Sequence, residues 1–196
     1  MRTAVLLGHS YVRRLGELIT NRPDLRRGSR NLQWKFLGVG GAKVGPHAPR
    51  NRDIFQWVRR ASQYHPDIVY LHVGENDLHT TDNNLLVERI IELVHQVVAV
   101  CNPQTVILSQ LTAFPANADV SGYSYRANRK LKEYFDAHHN QIRNTYIKFW
   151  KHTFGIFGPN RLRWYSDDDV HLNHAGLIEY AESVGTILGR AYNHLQ

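Results

Sequence analysis

Strand-like and helix-like patterns alternate along the whole chain of 196 residues, and this alternation limits the fold more than any other feature. Each short apolar run is followed by a segment with apolar residues at helical spacing, which predicts βαβ units and a parallel sheet. Five strands are predicted, at Thr3 to Leu7, Leu32 to Leu37, Ile68 to Val73, Thr105 to Leu108 and Thr145 to Phe149. Five helices are predicted, at Val12 to Thr20, Arg52 to Gln63, Leu85 to about Cys101, Ser124 to His139 and Asn173 to His194.

The alternation predicts one domain over residues 1–196, an α/β fold built as a three-layer α/β/α sandwich around a five-stranded parallel sheet. The run from Ile68 to Val73 is apolar except for His72, which is typical of a central parallel strand covered on both faces. The segments Thr112 to Gly122 and Trp150 to Ser166 are predicted to be loops, and the second is rich in aromatic residues.

Composition favours a globular protein without a membrane span, since no apolar run reaches the roughly 18 residues that a spanning helix needs. The single cysteine, Cys101, excludes an intrachain disulfide, and the chain has no N-x-S/T sequon. Met1 and Arg2 lead straight into the first apolar run, with no small-residue cleavage site behind it. We therefore expect an intracellular protein, or an intracellular domain excised from a larger one.

The chain carries a formal charge of +7, with arginines in small groups such as Arg13-Arg14 and Arg59-Arg60. This excess is compatible with attraction to nucleic acid, an anionic membrane or an acidic substrate. A solvated basic surface is the favoured explanation, because no block of charge is long and charge alone does not specify a partner.

Ser10 follows the first predicted strand and stands where the first helix begins. A serine there projects from the carboxyl edge of the sheet, where open α/β folds bind their ligands, and its N–H lies at the positive end of a helix dipole. Serine is also common at this place as a helix cap, so Ser10 is either a cap or a nucleophile.

A histidine in a late loop supplies the base that a serine nucleophile requires. His171 stands just before the last predicted helix, and Asp168 precedes it by three residues. In a tight loop this spacing brings the carboxylate to Nδ1 of the imidazole and leaves Nε2 to face the serine.

Negative charge develops on the carbonyl oxygen during acyl transfer and requires fixed hydrogen-bond donors. The amide of Asn76, at the end of the most apolar strand, and a backbone N–H of Gly40 or Gly41 are the candidates. Asn76 could instead belong to a turn or an Asx cap, and the two glycines to a simple tight loop.

These residues fall into four blocks in chain order. The pattern resembles the SGNH (GDSL-like) hydrolase superfamily from residue 8 to residue 176, and the last two blocks are the most specific. This resemblance implies a flavodoxin-like fold, serine esterase activity and no requirement for a metal or an organic cofactor. The blocks are Gly8-His9-Ser10, Gly38-Val39-Gly40-Gly41, Gly74-Glu75-Asn76-Asp77 and Asp168-Asp169-Val170-His171-Leu172-Asn173.

By the same resemblance, Ser10 is the nucleophile and His171 is first the general base and then the acid, oriented by Asp168. The oxyanion hole comprises the N–H of Ser10, the N–H of Gly41 and the side chain of Asn76, with Gly40 as the alternative glycine.

The chain departs from the family pattern at His9, where Asp is usual, which leaves the local geometry open. Tyr11, Lys43 and Trp164 are candidates for the substrate pocket, Lys43 as a partner for an anionic group. The aromatic loop with Phe154, Phe157 and Trp164 either lines an acyl pocket or provides packing. The resemblance does not identify the natural ester or the oligomeric state.

Other classes fit the sequence less well. No G-x-S-x-G, Walker A or G-x-G-x-x-G pattern is present, and Asp168, His171 and His174 lack the H-E-x-x-H context of a metal hydrolase. The remaining alternative is a catalytically degenerate domain that binds nucleic acid or another acidic partner through its basic charge. The hypothesis favoured here is an esterase that releases short acyl groups such as acetyl.

Overall fold

A computed structural model of the chain describes residues 1–26, 29, 31–112, 118–138, 141–152 and 161–195. Strands and α-helices alternate through most of this part of the chain, as the sequence predicts. The strands are β1 (Arg2–Gly8), β2 (Leu32–Gly38), β3 (Ile68–His72), β4 (Thr105–Ser109), β5 (Gln141–Ile142) and β6 (Thr145–Trp150). The α-helices are α1 (Ser10–Asn21), α2 (Phe55–Ser62), α3 (Asn83–Cys101), α4 (Ala118–Ala137) and α5 (His174–His194).

The strands form one sheet in the order β2-β1-β3-β4-β6-β5. All neighbours are parallel except β5 and β6, so the five strands predicted from the sequence form a parallel sheet of flavodoxin-like order. The extra strand β5 has only two residues, too few to show the alternation by which a strand is predicted from sequence.

Helices cover both faces of the sheet, which gives the predicted three layers. Alternate residues of β1 point to opposite sides: Val5 and Leu7 pack with α2, α3 and α4, whereas Ala4 and Leu6 pack with α1 and α5. Both core clusters extend across the sheet, which supports the proposal that residues 1–196 form one domain. No helix among the described residues is long and apolar enough to cross a membrane.

Most helix boundaries lie within two residues of the prediction, and the starts of α2 and α4 differ by more. Helix α2 begins at Phe55 rather than Arg52, because residues 52–54 hydrogen-bond to Lys43: its N–H donates to the Arg52 carbonyl, and its own carbonyl accepts from the Ile54 N–H. Helix α4 begins at Ala118, so the predicted loop was wrong over residues 118–122. One glycine costs about 1 kcal/mol in a helix, and Gly122 does not interrupt this 20-residue element.

The carboxyl ends of β1, β2 and β3 lie side by side and carry the first three blocks. Gly8 of β1 is level with Gly38 on one side and His72 on the other. A Cβ at Gly8 would come within 2.3 Å of the His72 carbonyl oxygen, so only glycine permits this close approach. The chain thus brings the nucleophile candidate and the G-x-N-D block to one edge of the sheet.

Candidate active site

Ser10 is the first residue of α1, and the residue that caps this helix is His9. The His9 backbone is extended, and its Nδ1 accepts a hydrogen bond from the Tyr11 N–H at 3.4 Å. The capping interpretation of Ser10 is therefore wrong. Its hydroxyl is not used by the cap, and its N–H lies at the positive end of a 12-residue helix.

The loop before α5 holds Asp168 against His171. The His171 ring donates from Nδ1 to Asp168 Oδ2 at 2.6 Å, and Oδ1 accepts from the N–H groups of Val170 and His171 at 3.0 and 2.9 Å. Partial desolvation opposes ionisation, but these hydrogen bonds lower the pKa of Asp168 to about 2. The carboxylate is therefore charged throughout the neutral range, with the ring held in one tautomer.

Tyr11 joins helix α1 to this loop. Its hydroxyl donates to the Val170 carbonyl at 2.6 Å, and its buried ring packs against the rings of His9, His72 and Tyr180. With its ring buried and its hydroxyl bonded to Val170, Tyr11 acts as a structural tie, and its place in the substrate pocket stays a prediction. The described residues contain no hydrogen bond between Ser10 and His171, and Ser10 Oγ lies 3.5 Å from His9 Nδ1.

The second and third blocks are bound to each other. Asn76 lies in a short 3₁₀ turn, Glu75–Asp77, after Gly74, whose φ is +113°, and its amide donates to the Ala42 carbonyl at 2.9 Å. The next carboxylate, Asp77, accepts from the N–H groups of Val44 and Gly45 at 3.0 and 2.9 Å. These contacts fix the glycine loop to the end of β3.

The glycine loop is a tight turn closed by a hydrogen bond from the Ala42 N–H to the Val39 carbonyl. Gly41 has a φ of +69°, a conformation that favours glycine, whereas Gly40 is exposed, and a Cβ there would have no neighbour within 4 Å. Asn76 itself lies in the neighbouring 3₁₀ turn, and its amide binds the last residue of the glycine turn through the Ala42 carbonyl.

The other two candidates for the substrate pocket, Lys43 and Trp164, each contact identified neighbours. Lys43 Nζ donates to the Thr80 hydroxyl at 3.2 Å. Trp164 is half-buried against the core, its carbonyl accepts from the Asn173 N–H, and the Arg163 guanidinium covers its ring at 4.3 Å. Trp150 and Tyr165 are core residues, as the packing interpretation expects, while Phe154 and Phe157 lie outside the described residues.

Comparison with known proteins agrees with this geometry. The family model of the GDSL-like lipase/acylhydrolase family matches residues 6–177. The chain belongs to that family. Members of this family cleave ester bonds, so the chain is an ester hydrolase, as the four blocks predict. No curated protein matches the sequence.

Several solved structures share the GDSL-like fold at low sequence identity. A G-D-S-L family lipolytic protein from Veillonella parvula is 15% identical with a TM-score of 0.74, and 97% of this chain and 100% of that one are covered. A carbohydrate esterase family 3 protein from Talaromyces cellulolyticus is 17% identical, with a TM-score of 0.72 and full coverage of both chains. An acetyl esterase variant crystallised with acetate ion is 16% identical, again with a TM-score of 0.72 and full coverage of both chains.

The basic charge of this GDSL-like protein is partly balanced on its helices. Arg13, Arg129 and Lys132 each lie beside an acidic side chain one helical turn further along. This agrees with a solvated surface, and the family match gives the nucleic-acid hypothesis no support. An intracellular location remains a prediction.

Sequence reasoning missed a buried cluster next to Ser10 in this GDSL-like protein. Glu75 Oε2 accepts from His9 Nε2 at 2.8 Å, while Oε1 accepts from His72 Nε2 and from the Thr112 N–H, each at 2.8 Å. Two signals pointed to it: His9 replaces the family's Asp, and His72 interrupts an apolar strand. Their common partner, 66 residues from His9, could not be found from spacing.

Charge in this cluster resides on the carboxylate. Burial alone would raise the pKa of Glu75, but the adjacent imidazoles hold it well below its usual range. Burial lowers the pKa of His72 in spite of the neighbouring carboxylate, so His72 is neutral at pH 7. His72 Nδ1 in turn lies 2.6 Å from the Tyr180 hydroxyl, which extends the hydrogen bonds into the core.

Among the described residues, His9, His72 and Glu75 also form the one group whose potential metal-ligating atoms lie within 4.8 Å of one another. Each carboxylate oxygen lies 2.8 Å from a ring nitrogen. Ligand atoms around tetrahedral zinc are separated by about 3.3 Å, given bond lengths near 2.0 Å. The separations in this cluster are those of N–H···O hydrogen bonds.

Proposed function

We propose that the protein is a serine esterase that works through a covalent acyl-serine intermediate, with Ser10, His171 and Asp168 as its triad. The observation that carries the proposal is the Asp168–His171 pair, which the Tyr11 hydroxyl ties to the helix that begins at Ser10. Hydrogen-bond contacts between nucleophile and base are often looser before substrate binds, so the missing Ser10–His171 contact is compatible with these roles.

In the first half-reaction, Ser10 Oγ attacks the ester carbonyl carbon while His171 Nε2 takes the hydroxyl proton. The Asp168 carboxylate at Nδ1 stabilises the imidazolium that forms. When the tetrahedral intermediate collapses, the bond to the alcohol oxygen breaks, and the alcohol leaves with the proton from His171. A water molecule then attacks the acyl-serine by the same steps and releases the carboxylic acid.

Three donors are proposed to bind the oxyanion: the N–H groups of Ser10 and Gly41 and the amide of Asn76. The Ser10 N–H is supported by its position at the start of α1. One amide hydrogen of Asn76 is committed to the Ala42 carbonyl, and the other remains for the substrate. The ties from Asp77 to the glycine loop keep these groups fixed, as electrostatic stabilisation requires.

The acyl group is proposed to be short, with acetyl as the first candidate. The similar structures include an acetyl esterase with bound acetate and a carbohydrate esterase. In addition, Tyr11, Trp150 and Tyr165 are packed in the core, which leaves fewer aromatic side chains to line a long acyl channel.

The test is hydrolysis of p-nitrophenyl acetate, butyrate and octanoate by the wild type and by Ser10→Ala. We expect turnover to fall along the series, and to fall by roughly 10⁴-fold or more in the variant. A fluorophosphonate probe should label the wild type alone. Labelling that persists in Ser10→Ala would contradict the assigned nucleophile, and faster cleavage of octanoate would contradict the acyl preference.

A further inference from the structure

Two residues of the buried cluster are direct sequence neighbours of residues proposed for the active site. His9 directly precedes Ser10, and Glu75 directly precedes Asn76. The Glu75 carboxylate binds a side chain beyond the end of β1, a side chain at the end of β3 and the backbone at Thr112, beyond β4. One carboxylate therefore fixes three strand ends at the edge of the sheet where the triad candidates lie.

The hydrogen bonds of His9 identify its tautomer. Nδ1 accepts from the Tyr11 N–H, so it carries a lone pair, and the ring proton resides on Nε2 and is donated to Glu75. Ser10 Oγ lies 3.5 Å from the same Nδ1. The serine hydroxyl thus has a neutral imidazole beside it that accepts and cannot donate at this atom, and a carboxylate keeps that imidazole in place.

We propose that His9 and Glu75 are positioning residues for the nucleophile: Glu75 fixes the tautomer of His9, and His9 Nδ1 holds the Ser10 hydroxyl as a donor before substrate binds. This inference rests on the proposed function. His9 does not replace His171 as the base, because protonation at Nδ1 would break the helix cap and place a cation at the positive end of α1. The departure of His9 from the family pattern is then compensated by Glu75, in the turn after the neighbouring strand β3.

Replacement of Glu75 by glutamine tests the tautomer selectively. The Thr112 N–H donates to Oε1, on the side of His72, and therefore keeps the amide oxygen on that side. The amide nitrogen then faces His9 Nε2, which has to accept, and the ring proton moves to Nδ1. The proton on Nδ1 would then point at the Tyr11 N–H, and Nδ1 could no longer accept from it. The same proton would donate to the Ser10 oxygen, so that the Ser10 hydroxyl would accept a hydrogen bond from His9 where it now donates one.

The experiment compares p-nitrophenyl acetate hydrolysis by wild type, His9→Asn, Glu75→Gln and the double variant. Asparagine is among the best helix caps, so His9→Asn keeps the start of α1 but loses the link to Glu75. We expect each single variant to lower kcat by about 10- to 100-fold with KM unchanged. The double variant should be no worse than His9→Asn, because Glu75 acts through His9.

His152→Gln is the matched control, since His152 is a buried histidine of the same interior whose ring nitrogens lie within hydrogen-bond distance of the Ser109 and Ser183 hydroxyls. Its kcat should stay near the wild-type value even if its melting temperature falls. Nitrogen NMR of the wild type adds a readout that needs no variant, and it should show His9 protonated at Nε2.

The outcomes separate the two proposals. An inactive wild type would overturn the proposed esterase and this inference with it. An active wild type with unchanged kcat in His9→Asn, or an equal loss of kcat in His152→Gln, would overturn the inference alone. Protonation of His9 at Nδ1 in the wild type would do the same.

Discussion

Two imidazole–carboxylate pairs are linked to the start of α1, one through His9 and the other through Tyr11, and they differ in almost every physical respect. The Asp168–His171 pair lies in a loop, with 48% and 26% of its side-chain surfaces exposed. The Glu75–His9 pair is buried, with 3% and 4% exposed. The first is open to substrate and water, as a proton carrier has to be, whereas the second is closed and suits a fixed scaffold.

The hydrogen bonds of the two carboxylates differ in a corresponding way. Asp168 is held by its own loop, through the N–H groups of Val170 and His171, so the pair can be adjusted as a unit. Glu75 is held by groups next to three different strands, so it cannot move without moving the sheet edge. The pair that is proposed to carry out the chemistry therefore lies in a loop, and the pair that supports the sheet edge is buried.

The largest expected effect comes from the exposed pair. Asp168→Asn keeps the shape of the loop but replaces the acceptor at His171 Nδ1 with a group that can donate, which favours the wrong tautomer. We expect kcat to fall by about 10⁴-fold with little change in melting temperature. Steady-state kinetics with p-nitrophenyl acetate, together with thermal unfolding, measure both quantities, and a decrease of less than tenfold would mean that Asp168 does not orient the base.

The buried pair should show the opposite balance between activity and stability. Glu75→Ala leaves His9, His72 and the Thr112 N–H without their common acceptor in the core. Each buried donor left without an acceptor costs about 1–3 kcal/mol of unfolding free energy, so a loss of several kcal/mol is expected. Urea unfolding of this variant and of Asp168→Ala compares the two sites, and an equal loss in both would refute the division between support and chemistry.

Tyr11 connects the two pairs, since it follows Ser10 and its hydroxyl binds the Val170 carbonyl at 2.6 Å. Tyr11→Phe removes that hydrogen bond and keeps the buried ring. A net loss of about 0.5–1.5 kcal/mol is expected, which corresponds to at most about tenfold in kcat/KM if the whole loss falls on the transition state. Unaltered kinetics in a less stable protein would show that the tie supports the fold without positioning His171.

The two pairs also show which contacts can be predicted from the sequence. Asp168 and His171 are three residues apart, so local loop geometry alone brings them together, and their contact was expected from spacing. The parallel sheet and the edge that gathers the blocks follow from the alternation of patterns, which needs no long-range information. The fold class and the family were therefore predictable from local signals.

Glu75 was not predicted because its partners lie at distant points of the chain. His9 is 66 residues away and the Thr112 N–H is 37 residues away, and only the sheet register brings them within reach. The hydrogen bond between Tyr11 and Val170 was missed for a similar reason, because these residues are 159 positions apart. Strand β5 was not predicted because its two residues are too few to show a periodicity.

The smallest expected effect concerns the protonation of Asp168. Its pKa is about 2, and the His171 ring is one of several donors responsible. In His171→Ala, the backbone donors remain, so we expect the pKa to rise only part of the way to the unperturbed value of about 3.9. Carbon NMR of the labelled carboxyl group follows this titration, with the wild type as reference.

The lowered pKa of Asp168 determines how the protonation of this residue changes the stability of the fold with pH. A carboxyl group that binds its proton more weakly when folded stabilises the fold above its unfolded pKa of about 3.9 and loses this contribution as the pH falls through about 2. Because Asp168 is largely exposed, solvent screening keeps the contribution small. Acid unfolding that begins above pH 4 must therefore originate elsewhere. Burial lowers the pKa of His72, so as the pH falls below the unfolded value of about 6.5 the unfolded chain binds a proton at His72 that the folded protein does not bind, and stability falls. His72→Gln should flatten that part of the stability profile, and Asp168→Asn should leave it unchanged.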